Sequence, residues 1–400
     1  MPPPLTREER NRGWLTLFDG GSLDCWNGNG WRTAEYTLAL GDRTRLPVAD
    51  GEGVMINDQK PAGQASDLVS RYELGDCEAK ILFAIPRGGN SGVYFMGRYE
   101  VQILDSFGKP SIGFGDCGGI YEGPPAFAGQ APRVNASREP CDIQKLEVVF
   151  QAPRFDAAGN KTANAKFVSV KLNDQLVQED VEVAGPTRGG YDGEVPRGPL
   201  RLQGDHGPVA YDTVNVRAAP IADDAGWQRL WNGSDLAGWK VLGKTQWQVD
   251  HGDLVGRGGP GSLLCERADL KDLEWRARVK IDHGGSAALA LRSPPSGEPA
   301  DGYALVISSS GTAPLRTGSV TARRDLAILK NRLVPPDVWC TLQVTCADVA
   351  DGVHIVVRVN DVVVTDVVDQ KRQFESGQLL LASTTPETVV SFRDVEVRVR

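Results

Sequence analysis

Long basic runs are missing from this chain, and with them the concentrated positive patch of a nucleic-acid binder. Forty-four Lys and Arg stand against 52 Asp and Glu, a formal net charge of −8. That balance fits a neutral or cationic small-molecule substrate better than a polyanion. No apolar stretch approaches the roughly 18 residues that a membrane span needs. The opening MPPPLTREERNR has no apolar segment of signal-peptide type, so the chain reads as cytoplasmic as written, or as exported if a leader has been removed. C-x-x-C pairs are also absent. The seven cysteines (Cys25, Cys77, Cys117, Cys141, Cys265, Cys340 and Cys346) are odd in number, which argues against a disulfide framework or a zinc ribbon. A Gly-rich phosphate loop, H-E-x-x-H and G-x-S-x-G are missing as well. The turns Asp19-Gly20 and Asn232-Gly233 lack the ligand spacing of a calcium loop.

An internal repeat is present. GWLTLFDGGSLDCW (13–26) and GWQRLWNGSDLAGW (226–239) share Gly, Trp, Leu, Gly, Leu and Trp at identical offsets. Four further pairs follow in the same order: DCEAKILFAI with DLEWRARVKI, RYEVQIL with GYALVIS, VSVKLNDQLV with VVRVNDVVV, and GPLRLQ with GQLLLA. Two homologous domains are therefore expected, 13–220 and 224–400, joined near residues 218–225. Pro220 and Asp223-Asp224 suit an exposed linker there.

Both halves read as almost entirely β. Alternating apolar and polar runs cover 78–83, 93–104, 167–172, 211–216 and 354–359, with 46 Gly and 25 Pro between the runs. Asn173-Asp174 and Asn360-Asp361 each sit between two such runs, as hairpin turns do. No long helical stripe competes. Many short strands in each half predict two tandem two-sheet sandwiches of jelly-roll type, and the repeated tryptophans are read as packing residues.

The segment NSGVYFMGRYEVQILD (90–105) is the most informative. If 99–104 is a strand, Tyr99, Val101 and Ile103 face the core, Glu100 and Gln102 share the opposite face, and Asp105 lies just beyond. E-x-Q-x-x-D resembles the carboxylate strands of sandwich-fold glycosidases, with Gln102 where a second acid would stand. A solvated outer face is the plain alternative. The second copy favours function: Ala304, Val306 and Ser309 replace Glu100, Gln102 and Asp105, while Leu305 and Ile307 keep the apolar face. Gln203 faces Ala382, and His206, in GDHGPV, has no counterpart. The imidazole of His206 suits proton transfer near neutrality. Tyr121 and Glu122 in GGIYEGPP and Asn90 before the strand complete the candidates.

GWLTLFDGGSLDCW, NSGVYF, YEVQILDS, GGIY, VNASREP, VVFQAPRFDAAGNK, NDQLVQEDVEVAGPT and LQGDHGPV occur in order across residues 13–217. Together they resemble the 3-keto-disaccharide hydrolase domain family, and the second half is similar mainly in its opening and strand pattern. The resemblance implies a concanavalin A-like jelly roll and cleavage of glycosides already oxidised to a ketone at C3. A base would then take the C2 proton and expel the C1 substituent, and water would add back. Glu100 and His206 would supply base and acid, in either order. Gln102, Asn90 and Gln203 would orient hydroxyls or the ketone, and Asp105 would fix one of these groups or hold a cation. A divalent metal would be able to polarise the ketone, although no ligand spacing demands one. Two departures stand out: Cys141-Asp142-Ile143 replaces the usual G-E-W, and Asp212-Thr213 replaces an Arg-Asn pair. The expected partner is a small carbohydrate substrate, acted on in the first domain, with the second kept for binding or stability. A non-catalytic lectin-like protein and a glycosidase of unoxidised glycans are the alternatives.

Overall fold

The computed structural model describes residues 5–37, 41–58, 65–219, 225–267 and 270–400. It divides into two compact units, Thr16–Ala219 and a second made of Met1–Leu15 together with Pro220–Arg400. The linker residues 220–224 lie outside the described residues. Each unit is a β-sandwich of the concanavalin A-like jelly-roll class. Among the described residues the helical segments are a five-residue turn, Arg7–Asn11, and a 3-10 turn, Pro299–Asp301.

The first unit runs β1 (Leu15–Phe18), β2 (Trp26–Asn27), β3 (Arg32–Tyr36), β4 (Val48–Ile56), β5 (Leu68–Leu74), β6 (Cys77–Ala84), β7 (Asn90–Phe95) and β8 (Tyr99–Leu104). It continues through β9 (Gln144–Gln151), β10 (Arg154–Phe155), β11 (Lys161–Ala163), β12 (Ala165–Leu172), β13 (Gln175–Val183), β14 (Gly198–Leu202) and β15 (Ala210–Ala218). One sheet has the order β13-β12-β9-β6-β15-β4-β3, with β1 also on β15; β2, β5, β14, β7 and β8 lie side by side opposite it. Aromatic side chains join the layers. Phe95 of β7 lies 5.2 Å from Phe150 of β9, and Tyr99 of β8 lies 5.5 Å from the same ring, centroid to centroid.

The repeat recurs as repeated contacts. Trp26 Nε1 donates to Leu17 O, and nine residues again separate Trp239 Nε1 from its acceptor, Leu230 O. Both indoles are buried, so they fasten the opening segment of each sandwich. The hairpin turns also repeat. Asn173, Asp174, Asn360 and Asp361 all have φ between 48° and 68°, as a type I′ turn requires. The Asn173 side chain accepts from Lys145 N at 2.9 Å, and Asn360 accepts from Thr341 N at 2.8 Å.

The run 93–104 is not one strand. Met96 and Gly97 adopt φ of 54° and 68°, which turns the chain and makes β7 and β8 an antiparallel hairpin. In the second unit the matching hairpin is Ser286–Ser293 with Tyr303–Ser308.

Candidate active site

Pairing in the hairpin sets Tyr94 opposite Glu100 and Gly92 opposite Gln102, on the face turned away from the aromatic core. β14 lies beside β7 with Arg201 opposite Tyr94. Alternation thus gathers Tyr94, Glu100, Gln102 and Arg201 from three adjacent strands. This face is not a solvated one, for Glu100 is 2% exposed and Gln102 6%. Residues 118–121 run along the free edge of β8, with Gln102 N donating to Gly119 O and Tyr121 N to Glu100 O. From the other direction Thr187 Oγ1 accepts from Glu100 N at 3.1 Å and donates to Arg98 O.

The Glu100 carboxyl lies directly above the Gly92 α-carbon, where any side chain would collide with Oε1. Burial pushes its pKa up to about 8, with the Asp67 and Asp205 charges adding to the rise; a hydrogen bond from Tyr94 and the Arg201 cation oppose it. Burial likewise raises the Tyr94 hydroxyl well above its ordinary range. The Arg201 guanidinium is buried between two rings, 3.9 Å from the Tyr94 centroid and 4.7 Å from that of Tyr191. It donates to Gly189 O through Nη2. Its Nε sits 3.5 Å from Asp67 Oδ2, close enough for attraction, yet makes no hydrogen bond.

Gln203 N donates to Gly92 O at 2.9 Å, which carries the chain from β14 into the loop of Asp205 and His206. Asn57 holds that loop. Its Nδ2 donates to Gly204 O at 2.8 Å and to Gly207 O at 2.9 Å, while its Oδ1 accepts from Val209 N at 2.7 Å. His206 is half-exposed, with Nδ1 paired to Asp205 Oδ1. Asn90 begins β7, and its Oδ1 is buried without a partner.

Not every candidate joins this cluster. Asp105 Oδ2 accepts from Gly88 N at 2.9 Å, so it ties the turn between β6 and β7. Tyr121 packs edge-on against Phe114 at 5.4 Å. Glu122 is paired with Arg188 at 2.6 Å. The E-x-Q-x-x-D pattern suggested Asp105 and the glycine-rich loop GGIYEGPP suggested Tyr121 and Glu122, and other contacts claim all three side chains. Reading from sequence missed Tyr94, Arg201, Asp67 and Asn57. Arg201 had a signal, since it aligns with Leu380 in the second copy. Among the described residues no group of three His, Cys, Asp or Glu side chains is placed to hold a metal ion.

The second unit provides an internal control. By register, Ala290 pairs with Ala304 and with Leu380, as Tyr94 pairs with Glu100 and with Arg201. Asp67, one residue before β5, corresponds to Ser262. In place of a polar cluster the second unit has an apolar one of Leu264, Ala290, Ala304, Leu380 and Ala382. The backbone is kept and the titratable groups are gone.

Fold and site together define a tandem jelly-roll protein with its chemically equipped face in the first unit. The chain belongs to the 3-keto-alpha-glucoside-1,2-lyase-like domain family, whose pattern matches residues 13–217 and again 226–398. No curated protein matches the sequence. Among solved structures, a provisionally named glycosyl hydrolase from Parabacteroides distasonis ATCC 8503 is similar at 24% identity and a TM-score of 0.39, over 52% of this chain and 84% of that one. The carbohydrate-binding module CBM66 from Bacillus subtilis is similar at 20% identity and a TM-score of 0.32, over 42% and 97%. A Bacillus subtilis protein of unknown function with a galectin-like fold shows 14% identity and a TM-score of 0.33, over 43% and 94%. Among the described residues no helix is long and apolar enough to cross a membrane.

Proposed function

We propose that the first unit is an enzyme that cleaves a 3-keto-glycoside by elimination followed by hydration, and that the second unit has lost the chemistry. The observation that carries this reading is Glu100, a buried carboxyl with a pKa raised to about 8, replaced in the second unit by Ala304. Such a group stays protonated near neutrality and is suited to give its proton to a leaving oxygen.

A base, His206 held against Asp205, takes the proton from C2. The C–H electrons move toward the C3 carbonyl and form an enolate. Its collapse makes the C1–C2 double bond and breaks the C1–O bond, and the departing oxygen takes the Glu100 proton. Water then adds across the C1–C2 double bond of the enone, its oxygen to C1 and a proton to C2, leaving the free 3-keto sugar. The donors suited to the enolate and the ring hydroxyls are Arg201, Gln102 and Gln203, with Asn90 offering its unpartnered oxygen as an acceptor.

The test is release of the aglycone from 3-keto-glucosides and from their unoxidised parents, each with and without EDTA. Release from the keto form alone is expected, and a loss with EDTA would add a metal to the step. Glu100→Gln is expected to lower turnover by about 10²-fold or more while sugar affinity stays. Sugar binding with no release from either substrate would overturn the enzyme reading in favour of a lectin. Equal release from the unoxidised parents would favour an ordinary glycosidase.

A further inference from the structure

The second unit contains a cavity of about 250 Å³ that the chemistry above does not use. It is lined from the strands Trp239–Gly243, Gly261–Cys265 and Gln378–Ser383, the counterparts of β2, β5 and β14, and from residues 296–299. The floor is apolar: Ala382 belongs to the cluster that replaces the first unit's polar groups, and Leu242 packs against it. One wall is an added loop. Residues 294–302 join the two strands of the second hairpin, where residues 96–98 suffice in the first.

That wall is anchored. Ser262, in the place of Asp67, donates through Oγ to Gly297 O at 2.7 Å in a buried bond. The Gly297 backbone also rests on Leu242 so closely that a side chain there would strike Leu242 Cδ1. The loop is thereby fixed beside the sheet and the space next to it stays open. At the rim the side chains of Ser296 and Glu298 are exposed. Glu298 makes no capping bond to the short turn Pro299–Asp301 that follows it.

We propose that this cavity is a non-catalytic binding site for a single neutral sugar ring, held by the Glu298 carboxylate. The choice of a sugar rests on the reading of the first unit as glycoside-directed. The C–H face of a ring would lie on Leu242, Ala382 and Pro299, and neighbouring hydroxyls would donate to the carboxylate, which only accepts. The volume is below the roughly 300–1,000 Å³ of drug-sized sites, so it takes one ring and not a chain. With Ala304 in the place of Glu100, the bound ring meets no proton donor from that position.

The experiment uses the full chain carrying Glu100→Gln, isotope-labelled and titrated with methyl glucoside. Amide shifts at residues 296–299 and 382–384 are followed by NMR. Saturable shifts there are expected, with affinity at least tenfold weaker after Glu298→Gln and lost after Ser296→Trp, which fills the mouth. Both substitutions are at exposed positions, and retained dispersion of the remaining amides verifies folding. Absence of shifts, or shifts indifferent to both substitutions, would overturn the proposal. Cyclohexylammonium binding there in preference to the glucoside would overturn the sugar assignment in favour of a cation. A Glu298-dependent site, together with no keto-glycoside turnover by the unsubstituted chain, would leave the cavity standing and remove the enzyme reading. Turnover without such a site would do the reverse.

Discussion

At Glu100 the cost of removing a carboxylate from water outweighs the attraction of a nearby cation. Burial is the largest influence on its pKa, and Arg201 offsets only part of it. If Glu100 acts as proton donor, turnover falls as pH rises through about 8, which a pH–rate profile reads directly. Arg201→Gln removes the cation that favours the charged form, so the same limb should move to higher pH. The folded pKa exceeds the unfolded one, so folded Glu100 binds its proton more tightly. Its relative contribution to stability is greatest in acid and declines as pH rises from the ordinary carboxylate range to about 8. The melting temperature of Glu100→Gln relative to the parent should therefore rise across that interval. Gly92→Ala supplies a methyl group where Oε1 now lies; it should displace the carboxyl and cost turnover on the scale of Glu100→Gln, measured beside an unchanged far-ultraviolet spectrum.

At the scale of elements, the hairpins and their turns were the most legible part. Asn-Asp between alternating runs specifies positive φ at both positions, and both copies comply. The shared face of Glu100 and Gln102 followed from alternation alone, and the apolar residues in its place in the second copy marked it as the candidate site. The rest of the site was hidden because it depends on which strands become neighbours. Arg201 reaches Tyr94 across a pairing of residues 107 apart in the chain, and Asn57 reaches a loop about 150 residues away. Asp105 shows the converse, since adjacency to the site strand did not stop Gly88 from taking its side chain. Asn57→Ala leaves Gly204 O, Gly207 O and Val209 N without that partner. It should cost about 1–3 kcal/mol in denaturant unfolding and loosen the His206 loop, with turnover falling further than affinity.

At the scale of the whole chain, the two units share a fold and hold it with different interiors. Arg292 in the second unit is fully buried, donating to Asp348 at 2.9 Å and to Asp272 at 2.8 Å, with carbonyls of Lys271 and Phe374 as further acceptors. Met96 stands at its register counterpart in the first unit, and both residues adopt left-handed backbone. Arg292→Met removes the buried donor, while Asp348 keeps Lys271 at 2.7 Å and Asp272 keeps the Asp348 backbone N–H at 3.0 Å. With both carboxylates partly exposed, the change should destabilise by about 1–3 kcal/mol. The loss should be read as faster hydrogen exchange in peptides from 225–400.

The second unit is also discontinuous in sequence. Arg7 Nη2 donates to Asp337 O at 2.9 Å, and Asn11 Oδ1 accepts from Trp339 N at 3.0 Å, so the chain's opening turn belongs with its last 180 or so residues. On a ribosome, everything the first unit needs has emerged once residue 219 is clear of the exit tunnel. The opening turn must wait until synthesis reaches its acceptors. Vectorial translation thus orders the two foldings, with the sandwich that carries Glu100 completed first and the other closed by a segment made long before.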